Sequence, residues 1–164
     1  MNIITNQDGF QLKENEGRTK LESFISQSKT FSNWQPTTGK YDPVDGYFNW
    51  RDKKAVVEIK TRDVKYMNYS IHLMELDKYM NVAKARVDNK YDKALYACFF
   101  GDTLYVYDLK YVSTSTCKIT EGYSPCTSVE DNGYRYKKYF EIPTTFAQVF
   151  KLDNGKWKSI KKGQ

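Results

Sequence analysis

Apolar residues first fall into step at Leu21, Phe24 and Ile25, an i, i+3, i+4 stripe that predicts a helix over about 18–28. Residues 1–17 ahead of it are polar and irregular and read as a loose arm or a short leading strand. Residues 34–39, with Pro36 and Gly39, read as a loop. Two segments of alternating character, 44–50 and 54–62, then predict a pair of strands joined by the charged turn Arg51-Asp52-Lys53. Ser70 is a predicted N-cap for a long helix to about residue 87, with Ile71, Met74, Met80 and Ala83 on one side. The clearest local signal follows. Runs 94–100 and 103–109 flank Gly101-Asp102, a two-residue hairpin turn in which glycine supplies the positive φ.

Beyond residue 109 the pattern weakens. Residues 112–133 are rich in Ser, Thr, Gly and Asn and read as a loop with room for one strand. Residues 134–142 alternate aromatic and basic side chains and predict a strand ended by Pro143, with a short helix at 145–150. The sequence has no internal repeat. Its order of elements predicts one α/β (α+β) domain over 1–164, a central mixed sheet flanked by two helices with a β-rich C-terminal third.

Composition narrows the chemistry. Phe, Trp and Tyr make up 26 of the 164 residues, so the core is built largely from rings. No run approaches the ~18 apolar residues of a membrane span. The first eight residues lack the basic start and apolar core of a secretory signal, and the expected location is the cytoplasm. Cys98, Cys117 and Cys126 are odd in number and without Cys-x-x-Cys spacing, which argues against a disulfide scaffold; Cys98, in an apolar run, is expected as a buried thiol. The single histidine, His72, is expected at the surface or in a cap, and it leaves carboxylates, lysines and a hard cation as the means of any catalysis. There is no Gly-rich phosphate loop to suggest use of ATP.

The net charge of +6 is concentrated. From Arg135 onward there are eight basic and two acidic residues, while the first 134 residues balance. A basic terminal segment suits a polyanionic partner, or simply solubilises the chain.

The candidate chemistry lies between residues 41 and 62. In a strand, Glu58 and Lys60 share one face while Val57 and Ile59 point the other way. If 44–50 pairs antiparallel with 54–62, Asp45 comes level with the second strand and Asp45, Glu58 and Lys60 converge. Two close carboxylates disfavour joint ionisation unless a cation lies between them, and oxygen ligands suit Mg²⁺. A neighbouring lysine stabilises a developing oxyanion or positions a water. The alternative is a solvated strand face with an ordinary cross-strand ion pair, against which stands the cost of a Glu and a Lys in an apolar central strand.

Asp45 followed after twelve residues by Glu58-Ile59-Lys60 resembles the motif of the PD-(D/E)XK nuclease superfamily, which includes restriction enzymes, Holliday-junction resolvases and many phage-encoded endonucleases. The resemblance covers about 16–109, a restriction-endonuclease-like core, and leaves 110–164 as a basic β-rich extension. It implies a Mg²⁺-dependent DNA endonuclease, with Mn²⁺ as a substitute, acting on branched or duplex DNA in a host or cellular cytoplasm. Many resolvase-like members act as dimers, since two symmetric cuts require two sites. By the resemblance Asp45 and Glu58 bind the metal, Lys60 is the catalytic lysine, and Glu22 is matched to a helix-borne third carboxylate, ahead of Glu16 and Glu14. Lys78 matches a lysine that some members carry on the following helix.

The chain departs from the pattern in having Val44 before Asp45, with Pro43 one earlier, so Asp42 rivals Asp45 as the first carboxylate. DNA contacts are expected from Arg62, Lys65, Lys78, Lys84, Arg86 and Lys90. In 134–140, Arg135, Lys137 and Lys138 interleave with aromatics in the mix that suits phosphate contacts and base stacking. An amphipathic edge strand with lysines guarding the edge has the same pattern. The rival function is a non-catalytic module on the same fold, binding nucleic acid or inhibiting a host protein.

Overall fold

The computed structural model describes residues 6–38, 42–125 and 133–161. Helix α1 spans Asn6–Gln27, so the first helix begins well before the apolar stripe that reveals it. Residues 11–16 are mostly polar and exposed, and Leu12 itself is 61% exposed, which hides this part of the helix from a periodicity reading. Leu21, Phe24 and Ile25 are buried as expected.

Strand β1 (Phe31–Pro36) replaces the expected loop. It lies at the sheet edge, where Pro36 is tolerated, and a register shift between Ser32 and Gln35 accompanies Asn33 at φ 55°. Strands β2 (Gly46–Trp50) and β3 (Lys53–Arg62) form the expected antiparallel pair, with Gly46 opposite Val57 and Trp50 opposite Lys53.

The expected helix from Ser70 is corrected. Residues Ile71–Glu75 form strand β4, and helix α2 runs Leu76–Asp88 with Glu75 at its N-cap position. Ile71 and Met74 fit a helical stripe, but His72 and Met74 also alternate inward, and antiparallel pairing with a distant strand decides between the two. The shorter helix buries Val82 and Ala85 and leaves Met80 60% exposed.

Strands β5 (Lys93–Phe100) and β6 (Thr103–Asp108) form the predicted hairpin, with Gly101 at φ 55°. The serine-rich stretch holds β7 (Lys118–Pro125), which pairs with β8 (Tyr134–Pro143). The helix expected at 145–150 is a single 3-10 turn, Thr144–Phe146, followed by β9 (Gln148–Asp153). Hairpin partner β10 (Lys156–Lys161) follows across Asn154-Gly155, both at positive φ, the pair that a tight two-residue turn demands.

The strands make two sheets. The larger has the order β1-β2-β3-β5-β6-β9-β10, with β3 and β5 parallel across the α2 crossover and the other neighbours antiparallel. The smaller has the order β4-β8-β7. One core cluster packs α1 onto the large sheet through Leu21, Phe24, Phe48, Val57, Leu95 and Leu104. The other joins the opposite face to α2 and the small sheet through Val56, Met74, Val82, Tyr96, Phe140 and Ile142. Cys98 is buried as a free thiol, as is Cys117; Cys126 lies outside the described residues.

His72 corrects the expectation of a surface histidine. It is 3% exposed, stacked on Phe100, and its Nδ1 meets the Tyr107 hydroxyl at 2.6 Å. Among the described residues no helix is long and apolar enough to cross a membrane.

Candidate active site

The site is built where the first hairpin meets α1. Backbone pairing continues one residue before β2, with the Asp45 N–H donating to the Val57 carbonyl at 3.1 Å. From the other side, the Thr37 hydroxyl donates to the carbonyls of Val44 (2.7 Å) and Asp45 (3.0 Å). This register sets Asp45 beside Glu58, in the apolar middle of β3. Both are buried, at 8% and 7% exposure. Asp42 is exposed, so the structure brings Asp45, rather than its rival, to Glu58.

Helix α1 closes over Asp45 because Gly17 has no side chain. A Cβ there would stand 2.6 Å from Thr61 Oγ1 and 2.8 Å from Ile59 Cγ2, so only glycine lets the helix lie this close to β3. The next residue, Arg18, then reaches Asp45 Oδ1 at 3.3 Å and Glu14 at 3.2 Å. The second oxygen, Asp45 Oδ2, accepts the Ile59 N–H at 2.7 Å.

Glu58 has a different environment. Burial, then the charge of Asp45, pushes its carboxyl up to about 8, while Lys78 from α2 stands 3.4 Å from Oε1 and opposes the rise. Glu58 in turn raises Lys78. Lys60, two residues along β3 and on the same face, is lowered by burial and by Arg62, against the fields of Glu75 and Glu58. A buried acid raised above its ordinary range thus lies beside a buried lysine lowered from its own, the kind of shift that clusters at functional sites.

The structure thus brings together Asp45, Glu58, Lys60 and Lys78. It does not bring Glu22. Among the described residues no three His, Cys, Asp or Glu side chains stand close enough to hold a metal between them, and Glu22 is exposed. The α1 residue that communicates with Asp45 is Glu14, one turn before Arg18. Glu16 is paired instead with Lys20 at 2.8 Å. Arg18 is the site residue the sequence reading missed; its only signal is the i, i+4 spacing from Glu14.

A cleft of about 480 Å³ opens from Lys60 toward the small sheet, its walls including Arg62, Leu73, Glu75, Lys137 and Tyr139. Arg62 is tied by its guanidinium to the Leu73 carbonyl at 2.9 Å, and Lys137 to Glu75 at 3.1 Å. Of the other basic residues singled out, Lys65 is exposed over the Tyr66 ring, Lys84 pairs with Asp88, and Lys138 faces Glu121 at 3.8 Å. Arg135 is exposed on β8; Arg86 and Lys90 lie at the far end of α2 and just after it.

No protein-family model matches the chain, and no curated protein does. Among solved structures, Hjc, a Holliday junction resolvase from the archaeal hyperthermophile Archaeoglobus fulgidus, superposes with a TM-score of 0.51 at 11% identity. The match covers 80% of this chain and 84% of that one. At this identity the likeness is one of fold: a mixed α+β architecture of the restriction-endonuclease-like kind, with two helices on a large mixed sheet.

Proposed function

We propose that the chain is a metal-dependent endonuclease of the PD-(D/E)XK type acting on DNA, with Asp45, Glu58 and Lys60 as its catalytic group. The observation that carries this reading is the buried pair of carboxylates, Glu58 raised to about 8 by burial and by the charge of Asp45, with Lys60 next along the strand. The similarity of fold to a Holliday junction resolvase supports it.

The donor set fits a hard divalent cation at Asp45 and Glu58. All donors are oxygens, and a cation between them would offset both the burial and the repulsion by Asp45 that raise Glu58. When bound, Mg²⁺ or Mn²⁺ supplies charge neutralisation at phosphate oxygens and a lower pKa for water. Lys60 positions the attacking water and stabilises charge on the phosphate. Lys78 and Arg18, which stand on the two carboxylates, are then released to the substrate's anionic oxygens. Water adds to phosphorus, one P–O ester bond breaks, and the leaving oxygen takes a proton to become a hydroxyl. Branched or duplex DNA is the expected substrate, with Arg62, Lys65, Lys137 and Lys138 among the phosphate contacts and a homodimer as the form that makes paired cuts.

The test is a cleavage assay on linear, flapped, four-way-junction and single-stranded DNA with Mg²⁺, Mn²⁺ or EDTA, beside Lys60→Ala. Metal-dependent cutting that disappears in the variant is expected, and undiminished cutting by Lys60→Ala would overturn the mechanism.

A second reading, a non-catalytic binding module on this fold, is favoured by one feature: Arg18 and Lys78 already stand against the two carboxyl groups, at 3.3 and 3.4 Å. It predicts no Mg²⁺-induced rise in Tm, whereas the nuclease predicts one that Asp45→Asn abolishes.

A further inference from the structure

The order β1-β2-β3-β5-β6-β9-β10 puts β1 and β10 at opposite edges of the large sheet. Phe24 of α1 nonetheless touches both sides. Its ring centroid lies 5.4 Å from Phe31 in β1, 4.7 Å from Phe150 in β9 and 5.8 Å from Trp157 in β10. The sheet therefore curls around the end of the helix. Helix α1 stops at Gln27, within a turn of Phe24, and a groove of about 500 Å³ lies there between the two edges. Phe24 and Phe31 are its buried members, while Trp50, Phe150 and Trp157 line it half-buried.

Both sides of the groove are pinned by hydrogen bonds. Gln27 donates its Nε2–H to the Gly155 carbonyl at 2.9 Å and accepts the Trp157 N–H at 3.0 Å, which ties the β9–β10 hairpin to the helix end. Ser28 Oγ accepts the N–H groups of Thr30 and Phe31, each at 3.0 Å. The Arg51 N–H donates to the Thr30 carbonyl at 2.7 Å. The groove is thus formed before anything enters it, which lowers the entropy lost on binding.

We infer that this groove is a binding site for a small planar aromatic molecule carrying an acidic group. Size favours such an occupant over a protein surface. The volume falls within the ~300–1,000 Å³ of small-molecule sites, and ring-lined walls with a few polar groups are their usual composition. Aromatic walls receive a flat ring in offset or edge-on contact. Charge sets the acidic group: Arg51 is exposed and is the one charged side chain among the described residues that line the groove, with no acid beside it in the lining. Gln148 and Ser159 add neutral polar groups. Trp157 adds a donor, since its Nε1 is buried without a hydrogen-bond partner among the described residues.

The groove is separate from the proposed catalytic group. It belongs to the α1 face of the sheet, with Val57, whereas Glu58 and Lys60 alternate to the other face. Trp50 lies opposite Lys53, about 17 Å along β3 from Glu58. The inference needs no nuclease activity and stands or falls apart from that reading.

The test is titration of the full chain with two dyes at low salt, followed by dye fluorescence. One is 8-anilinonaphthalene-1-sulfonate, an aromatic acid; the other is N-phenyl-1-naphthylamine, the same ring system without the sulfonate. Wild type is expected to take up a single molecule of either, with the acid bound about fivefold tighter. Arg51→Gln should bring the acid to the affinity of the neutral dye and leave the neutral dye unchanged. Ser159→Trp, at an exposed lining position, should fill the groove and abolish uptake of both without lowering Tm. Equal affinity of wild type for the two dyes would overturn the site, and that comparison needs no variant to fold. An Arg51→Gln protein that keeps the preference, or wild-type uptake by Ser159→Trp, would overturn it too. So would a dimer that Ser159→Trp splits, because a second copy would then be the occupant.

Discussion

The Asp45 carboxylate accepts the backbone N–H of Ile59 at 2.7 Å, one residue past Glu58 on the neighbouring strand. This bond fixes the first carboxylate to the backbone that carries the second. Asp45→Asn keeps a carbonyl oxygen for that N–H and removes the charge. The expected outcome is a loss of cleavage of at least ~100-fold with a Tm within a few degrees of wild type, checked by steady-state rates and calorimetry. A variant that still cuts would remove Asp45 from the site.

Stability against pH reports on Glu58. Its folded-state value of about 8, against an ordinary 4.5, means that the folded chain holds a proton the unfolded chain gives up. Stability therefore falls as pH rises from about 4.5 to 8, by at most ~1.4 kcal/mol per unit. His72 acts oppositely. It is lowered to about 4 from 6.5, first by burial and then by Arg62, so its contribution is present above 6.5 and lost as pH falls toward 4. The two cancel in part below 6.5, leaving a decline between 6.5 and 8 that belongs to Glu58. Urea midpoints across that window in EDTA should fall for wild type and stay level for Glu58→Gln; parallel curves would refute the assignment.

On the proposed nuclease reading, Arg18, which stands 3.3 Å from Asp45, competes with a cation for that carboxylate. Replacing it by Met keeps much of the packing volume and leaves Asp45 Oδ1 without its ionic partner. Mn²⁺ affinity, followed by titration calorimetry, is expected to rise several-fold in Arg18→Met while cleavage falls, as the proposed role of the arginine toward the substrate requires. Unchanged affinity would mean that Arg18 is only a structural contact.

Gly17 sets the height of α1 above β3. Gly17→Val must push Thr61 and Ile59 aside or lift the helix, and Ile59 donates the N–H that orients Asp45. The expected cost is about 1–3 kcal/mol of stability, read by urea unfolding, with a larger proportional loss of activity than of folded protein. A variant as stable and active as wild type would show the approach to be loose.

What could be read ahead of the structure follows the range of the contacts. The β2–β3 and β5–β6 hairpins were legible because a turn and a few residues on either side decide them, and the first of these sets Asp45 beside Glu58. Strand β4 was not, since its identity rests on His72 opposite Ile142, a pairing that no local spacing encodes. The same long-range sheet buries His72, whose place near an expected helix start predicts a surface or capping position. Glu22 lies in the part of α1 that the apolar stripe reveals, while the helix itself begins at Asn6. The rotation of α1 is set instead by Gly17 against Thr61 and by Lys20 donating to the Gly101 carbonyl at 2.8 Å, and neither contact shows in an apolar stripe. Arg18 is not legible as a site residue because a charged side chain beside a glycine has the pattern of a solvated turn of helix.

The packing of Phe24 in α1 against Phe150 in β9 (4.7 Å) and Trp157 in β10 (5.8 Å) joins segments more than 120 residues apart. Helix α1 rests mainly on β3 and β1, and its C-terminal end around Phe24 is covered only once β9 and β10 are in place. Cooperative closure of this kind makes folding slow relative to the local hairpins. The two carboxylates, set side by side by the local β2–β3 hairpin, thus precede the long-range closure over the end of the helix that carries Arg18.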